Sequence, residues 1–218
     1  MKADLHVHTV FSNDGKTTME ELVRYAVEAG LGCVAVTDHN SFEAYPRLKN
    51  VKEIIVIPAE EVSSKEGHIV ALGIDTLIPR GMPIQETIDA IHDAGGYAFA
   101  AHPYRWWSGL GEENTLKYPF DGIEARNGRS VPSANVKSEE LAAKIGKPIS
   151  AGSDAHTPRH IGEGYVELPD GAETWEDVIE LIMSKSARAF SGSRGWKGTM
   201  KYGTKSIGEW MLRGFKKM

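Results

Sequence analysis

The chain has 218 residues, 41% hydrophobic and 25% charged, which fits one soluble globular unit better than two. Its formal charge of −5 gives no general pull towards nucleic acid or an anionic membrane. Any affinity for phosphate must therefore be local, and no extended nucleic-acid surface is expected.

Residues 3–8 open the chain as a short strand, and Lys2 followed at once by Asp4 and His6 does not fit a signal peptide. Met19, Leu22, Val23, Ala26 and Val27 then recur at helical spacing. Thr17 and Thr18 precede them, Glu20 and Glu21 are placed to complete a capping box, and Gly30 stops the helix. Strands are predicted at 33–37 and 54–58, and Cys33, inside an apolar run, reads as a buried structural thiol rather than a nucleophile. As the lone cysteine it cannot form an internal disulfide, so a cytoplasmic setting is expected. The next strand, 68–73, starts too soon after Glu61 for a crossover helix of about a dozen residues, which predicts a local antiparallel pair or distortion. A helix runs from Pro83 with Ile84, Ile88 and Ile91 on one face, stopped by Gly95 and Gly96. Strands at 97–101 and 121–125, a helix around 134–145 and strands at 148–152 and 164–168 follow. Trp175, Val178, Ile179, Ile182 and Met183 form a last stripe, opened by Thr174 and Asp177. No apolar run approaches the ~18 residues of a membrane span. Alternating short strands and amphipathic helices imply an α/β protein with a mostly parallel sheet. Beyond Ser191 the chain is rich in glycine and lysine until Ile207, Trp210, Met211 and Phe215, which suggest a docking helix. The expected organisation is one domain over 1–218, with 191–218 an extension packed on it.

Of eight histidines, His6, His8, His39, His68, His102 and His156 sit at or just beyond predicted strand ends, most of them close to acids. His92 and His160 do not share this setting; His92 reads as a helix-surface residue. In α/β barrels the loops after the strands gather at one mouth, so residues far apart in sequence can converge there. His6 and His8 alternate with Leu5 and Val7 and should point to one side of a strand, as two ligands of one cation would. Asp154 and His156 repeat that spacing. Asp38 and His39 are adjacent, so His39 is expected to be the ligand and Asp38 its support. Glu60 and Glu61 both follow an apolar strand, and the residues alone leave open which would bridge two cations.

These residues resemble the PHP family, the phosphoesterase domains related to DNA polymerases and histidinol phosphatase. Asp4-Leu-His-Val-His-Thr-Val-Phe-Ser-Asn-Asp-Gly15 looks like its first motif, and Val36-Thr-Asp-His-Asn40 its second. Pro58-Ala-Glu-Glu-Val-Ser63 with Gly67-His68 looks like its third, and Gly152-Ser-Asp-Ala-His156 its last. Ala101-His-Pro-Tyr-Arg105 and Asp121-Gly-Ile-Glu-Ala-Arg-Asn127 resemble the small stand-alone members. The resemblance implies a distorted seven-stranded, TIM-like (β/α)7 barrel with a trinuclear site. It places His6, His8, Glu61 and Asp154 on one metal, and His68 and His102 on a second bridged by Glu61. Asp14, His39 and His156 would hold a third. Glu61 rather than Glu60 is assigned because Ala59 takes the place of the family's usual glycine. The loop Ser12-Asn-Asp-Gly15 is one residue longer than the usual Ser-Asp-Gly, so the third site depends on where that loop delivers Asp14.

The expected activity is hydrolysis of a small-molecule or nucleotide phosphate ester by a metal-bridging hydroxide, with two or three zinc, manganese or iron ions. Three divalent cations against Asp14, Glu61 and Asp154 leave an excess of roughly +3, enough for an acidic protein to attract a phosphate dianion. Asp154 and Arg105 are the expected catalytic residues, the first as proton shuttle and the second as a clamp on phosphoryl oxygens. Arg126, and Arg159 with His160, are the further candidates for substrate binding. Trp106 and Trp107 either stack a ring or pack their loop; Glu124 and Asn127 either shape the pocket or serve structure. Two other readings are open: hydrolysis of a C–N bond at the same kind of site, and a non-catalytic regulatory barrel. Oligomeric state is not legible.

Overall fold

The computed structural model describes residues 1–192. Its strands are β1 (Lys2–Val7), β2 (Cys33–Val36), β3 (Ile55–Ser63), β4 (His68–Leu72), β5 (Tyr97–Ala100), β6 (Gly122–Asn127), β7 (Ile149–Gly152), β8 (Gly164–Glu167) and β9 (Arg188–Ser191). Its helices are α1 (Met19–Glu28), α2 (Tyr45–Leu48), α3 (Ile84–Asp93), α4 (Gly111–Lys117), α5 (Pro132–Ile145) and α6 (Trp175–Met183). The strands pair in the order β7-β6-β5-β4-β3-β2-β1-β8-β9. The two ends of β1–β7 meet: Val7 bridges Ala155, Asp154 N donates to His6 O at 2.7 Å and His8 N to Ala155 O at 3.0 Å. These seven strands thus curl into a nearly closed barrel, while β8 and β9 extend the sheet antiparallel from the start of β1.

The expected antiparallel pair is present, with Ser63 opposite His68 across a tight turn. β4 also runs against β5, so one reversed strand sits in an otherwise parallel ring. β3 continues to Ser63, beyond the expected end at residue 58, because Glu60 and Glu61 are paired strand residues rather than a following loop. β9 was not expected: Arg188-Ala-Phe-Ser191 is too short and mixed to carry a period. The short α2 and α4 escape for the same reason. Ser191, expected to begin the C-terminal extension, is instead the last residue of β9, opposite Gly164. The docking helix expected around Trp210 lies outside the described residues. Among the described residues, no helix is long and apolar enough to cross a membrane.

Side-chain alternation splits the core into an inner and an outer part. Ala3, Leu5, Cys33, Ala35, Ile57, Ala59, Val70, Leu72, Phe99 and Ala151 face inward, and Val178, Ile179 and Ile182 of α6 complete that cluster. Val34, Val36 and Val56 face outward beneath Leu22 and Ala26 of α1. Ile69, Ala71, Ala98 and Ala100 pack under Ile84, Ile88 and Ile91 of α3. α1 opens with the capping box, which uses Thr18 and Glu21. Cys33 is fully buried, and burial, reinforced by Asp4, pushes its thiol well above the usual range, so it is no nucleophile.

Glycine is required where the barrel closes. A Cβ on Gly152 would lie 2.2 Å from His6 Cβ and 2.5 Å from His6 N, so the backbones of β7 and β1 meet with no room for a side chain. Gly152→Ala is expected to lower stability by about 1–3 kcal/mol, read as a fall in the urea midpoint. An unchanged midpoint would show that the seam has slack.

Candidate metal centre

Most strands of the barrel carry apolar side chains inward and end in an acid or an imidazole. On β3, Ile57, Ala59 and Glu61 follow one another at the two-residue period; on β4, His68 continues the row of Leu72 and Val70. Strict alternation would fail elsewhere. Leu5 belongs to the inner core, which would turn His6 and His8 outward. A register shift between Asp4 and Val7 reverses this, so both histidines face inward and Val7 joins the outer core. A second shift, between Glu124 and Arg126, lets Glu124 and Asn127 both face the centre. After β2, β5 and β7 the chain turns through left-handed backbone at Asn40 (φ 51°), His102 (φ 29°) and Asp154 (φ 51°). Asn, Asp and His tolerate that region better than most residues, and such strain gathers at functional sites.

The result is a buried carboxylate ringed by imidazoles. Glu61 Oε2 lies 3.2 Å from His6 Nε2, 3.3 Å from His8 Nε2 and 3.1 Å from His39 Nδ1. Glu61 Oε1 lies 2.7 Å from His68 Nδ1 and 2.9 Å from His102 Nε2. The two oxygens thus address different groups, as a bridging carboxylate must. Among the described residues, four sets of donor atoms lie within 4.8 Å of one another: His6, His8 and Glu61; His6, His102 and Asp154; His39, Glu61 and His68; His8, His39 and His156. Asp14 joins the last set, its Oδ2 2.9 Å from His156 Nε2. The longer loop therefore does deliver it. A tight turn, Ser12 N to Thr9 O and Gly15 N to Ser12 O, absorbs the extra residue.

The donor set fits divalent cations. His6 Nε2, His8 Nε2, His39 Nδ1, His102 Nδ1 and Asp14 Oδ1 are buried without a hydrogen-bond partner among the described residues, an arrangement too costly to keep unless something else satisfies them. Nδ1 of His6 meets Glu124 Oε1 at 2.9 Å, and Nδ1 of His8 meets Ser12 Oγ at 3.0 Å, so Nε2 is the nitrogen left for a cation. Asp38 accepts from Thr9 N (2.6 Å), Thr9 Oγ1 (2.6 Å) and Ser12 Oγ (2.9 Å), and so fastens the loop that carries Asp14. Glu60, on the other face of β3, accepts from Ile78 N at 2.8 Å, and burial pushes its carboxyl up to about 7. Of the two glutamates, it is Glu61 that enters the cluster.

Burial alone would raise every carboxyl here. The His39, His68 and His6 charges and the His102 hydrogen bond instead hold Glu61 well below its usual range. The Arg129, Arg105 and His6 charges do the same for Asp154, and His156 for Asp14. His8 resists burial through the carboxylates of Asp154 and Glu61 beside it and rises to about 9, while burial and Arg105 push His102 down to about 4. The site thus keeps its carboxylates ionised among imidazoles and guanidiniums.

Two guanidiniums reach Asp154. Arg105 NH2 donates to Asp154 Oδ2 at 2.7 Å and to Asn127 Oδ1 at 2.5 Å. Arg129 NH1 donates to Asp154 Oδ1 at 3.1 Å and lies 3.1 Å from His156 Nε2. Sequence reasoning missed Arg129, although it follows β6 by two residues; the strand-end rule applied to histidines would have found it if applied to arginines. It also left open Glu124, which holds His6 Nδ1 and accepts from His102 N at 2.7 Å. Arg126 is not brought in: the register shift turns it to α5, where it pairs with Glu139 at 2.6 Å. Arg159 is exposed and meets its neighbour His160, which pairs with Glu163 at 2.8 Å and is in none of the donor sets found among the described residues. Both lie on the 3₁₀ turn Pro158–His160 that follows β7. His92, on α3, pairs with Asp121 at 2.8 Å.

Comparison with known proteins agrees with this geometry. Residues 4–97 match the PHP domain, and residues 132–186 match the PHP-associated domain. The uncharacterized protein MJ1587 of Methanocaldococcus jannaschii is 33% identical over 140 residues, 58% of this chain and 82% of that one. The 5'-3' exoribonuclease Rnm of Salmonella typhimurium is 34% identical over 118 residues, 43% of this chain and 40% of that one. Among solved structures, a two-domain Bacteroides vulgatus protein containing a predicted PHP-like metal-dependent phosphoesterase superposes with a TM-score of 0.68 at 19% identity. That match covers 88% of this chain and 65% of that one, and shows a shared fold. From its barrel, its ordered motifs and its relatives, the chain belongs to the PHP family.

Proposed function

We propose that this chain is a metal-dependent phosphoesterase that hydrolyses small phosphate esters, and that it forms one catalytic unit. The observation that carries this reading is the convergence of Arg105 and Arg129 on Asp154, a carboxylate of the imidazole cluster. Paired guanidiniums beside a cation site suit the oxygens of a phosphoryl group, and a neutral amide gives them no charge to hold. His6, His8, Glu61 and Asp154 would hold one cation, Glu61, His68 and His102 a second, and Asp14, His39 and His156 a third. Zinc, manganese or iron suits such a mixture of imidazole and carboxylate. When bound, the cations would lower the pKa of water and neutralise phosphate charge. The protein's own groups do the rest. Arg105 and Arg129 orient the phosphoryl oxygens. Asp154, kept ionised by both, takes the proton of the water that attacks phosphorus and can return it to the departing oxygen. The exoribonuclease relative acts on nucleic acid, but the net charge of −5 supports a small ester here. The buried lone Cys33 suits a cytoplasmic setting.

A panel of phosphomonoesters and amides, assayed with added manganese or zinc, should show turnover of the phosphates alone. Hydrolysis confined to amides would overturn the reading. Asp154→Asn should lower kcat by roughly 10²- to 10⁴-fold on the same substrates, and full turnover with full metal content would remove Asp154 from the proton path.

Glu124 tests how the cluster is supported. Glu124→Gln keeps an acceptor for His6 but loses the charge, and metal affinity should fall by roughly 10- to 100-fold in competition with a chelating dye. Unchanged affinity would mean that Glu124 serves only to pack the barrel.

A further inference from the structure

Beside the cluster, one turn displays an aromatic ring to solvent. Trp106 is 74% exposed, a state that forgoes the burial an indole normally gains. The turn beneath it is firmly held. Arg105 N donates to His102 O at 2.9 Å, Gly109 N to Arg105 O at 2.7 Å, and His68 N to Ser108 O at 3.0 Å. A Cβ on Gly109 would lie 2.5 Å from Pro103 O, so only glycine closes the turn. Both anchors, His68 and His102, are residues of the cluster. Trp107 supports Trp106 edge-on, with ring centroids 5.3 Å apart at 84°, and the Arg105 guanidinium lies 5.5 Å from the Trp107 centroid. A continuous path therefore runs from Asp154 through Arg105 and Trp107 to the indole of Trp106.

We propose that Trp106 is a specificity-determining residue that stacks on a planar ring in the leaving group of the substrate, while Arg105 holds the phosphate. This rests on the phosphoesterase reading and narrows its substrate to ring-bearing phosphate monoesters. An indole face accepts any flat unsaturated ring by stacking and asks nothing of the ring's edge. A glycerol-like leaving group offers nothing to stack. The ring could belong to a nucleobase or to an aromatic amino acid, and the test separates these.

Metal-supplemented wild type, Trp106→Ala and Trp106→Phe should be assayed on adenosine 5'-monophosphate, phosphotyrosine and glycerol phosphate. Wild type should favour at least one of the two ring-bearing esters. Trp106→Ala should raise KM for that ester by about 5- to 30-fold with kcat little changed. It should leave glycerol phosphate kinetics alone, and Trp106→Phe should recover most of the loss. Whichever ester responds identifies the ring. Equal losses on all three esters, or no change on either ring-bearing one, would overturn the stack while leaving the phosphoesterase reading intact. Hydrolysis of neither ring-bearing ester by an enzyme that turns over other phosphomonoesters would overturn the stack alone, and turnover confined to amides would remove both.

Discussion

Glu61 keeps its charge inside the barrel with five imidazoles around it, and the rest of the fold is arranged to hold that contact. A carboxylate taken out of water costs several kcal/mol unless it is paired and hydrogen-bonded. Asp154 is equally buried and Asp14 largely so, so three carboxyls share this one interior. Arg105 and Arg129 answer Asp154. Cations held by Glu61 and these imidazoles would offset the carboxylate charge and give unpartnered nitrogens such as His6 Nε2 and His8 Nε2 a partner.

The cluster exists because the strands depart from regularity at their inner ends. A perfectly alternating β1 would bury Leu5 and expose His6 and His8; a perfectly alternating β6 could not turn both Glu124 and Asn127 inward. Register shifts on those two strands, and left-handed residues after β5 and β7, re-aim the chemistry without disturbing the apolar core below it. Supporting groups then lock each side chain: Glu124 for His6, Ser12 for His8, and Asp38 for the loop of Asp14.

Much of this was legible in the residues. Amphipathic periods gave α1, α3, α5 and α6, and the short gap before His68 gave the antiparallel turn, because these depend on local pattern. The histidines at strand ends, with the ordered motifs, pointed to one rim. What escaped is what alternation cannot encode. The shift on β6 sends Arg126 to Glu139 and leaves room for Arg129, and no residue type announces a bulge in advance. Arg159 and His160 follow a strand end as the histidine ligands do, yet they lie on a 3₁₀ turn and Arg159 is exposed. Asp14 needed coordinates because only the closure of its loop, with Gly15 against the Thr9 carbonyl, shows that the added residue is absorbed.

The most direct test is the metal content of wild type and Glu61→Gln, purified in parallel with added manganese or zinc and measured by elemental analysis. If Glu61 bridges, wild type should retain about two or more equivalents, and the variant should lose at least half of them while remaining folded. Equal metal content in the two proteins, or none in either, would contradict the assignment of this cluster as a shared cation site.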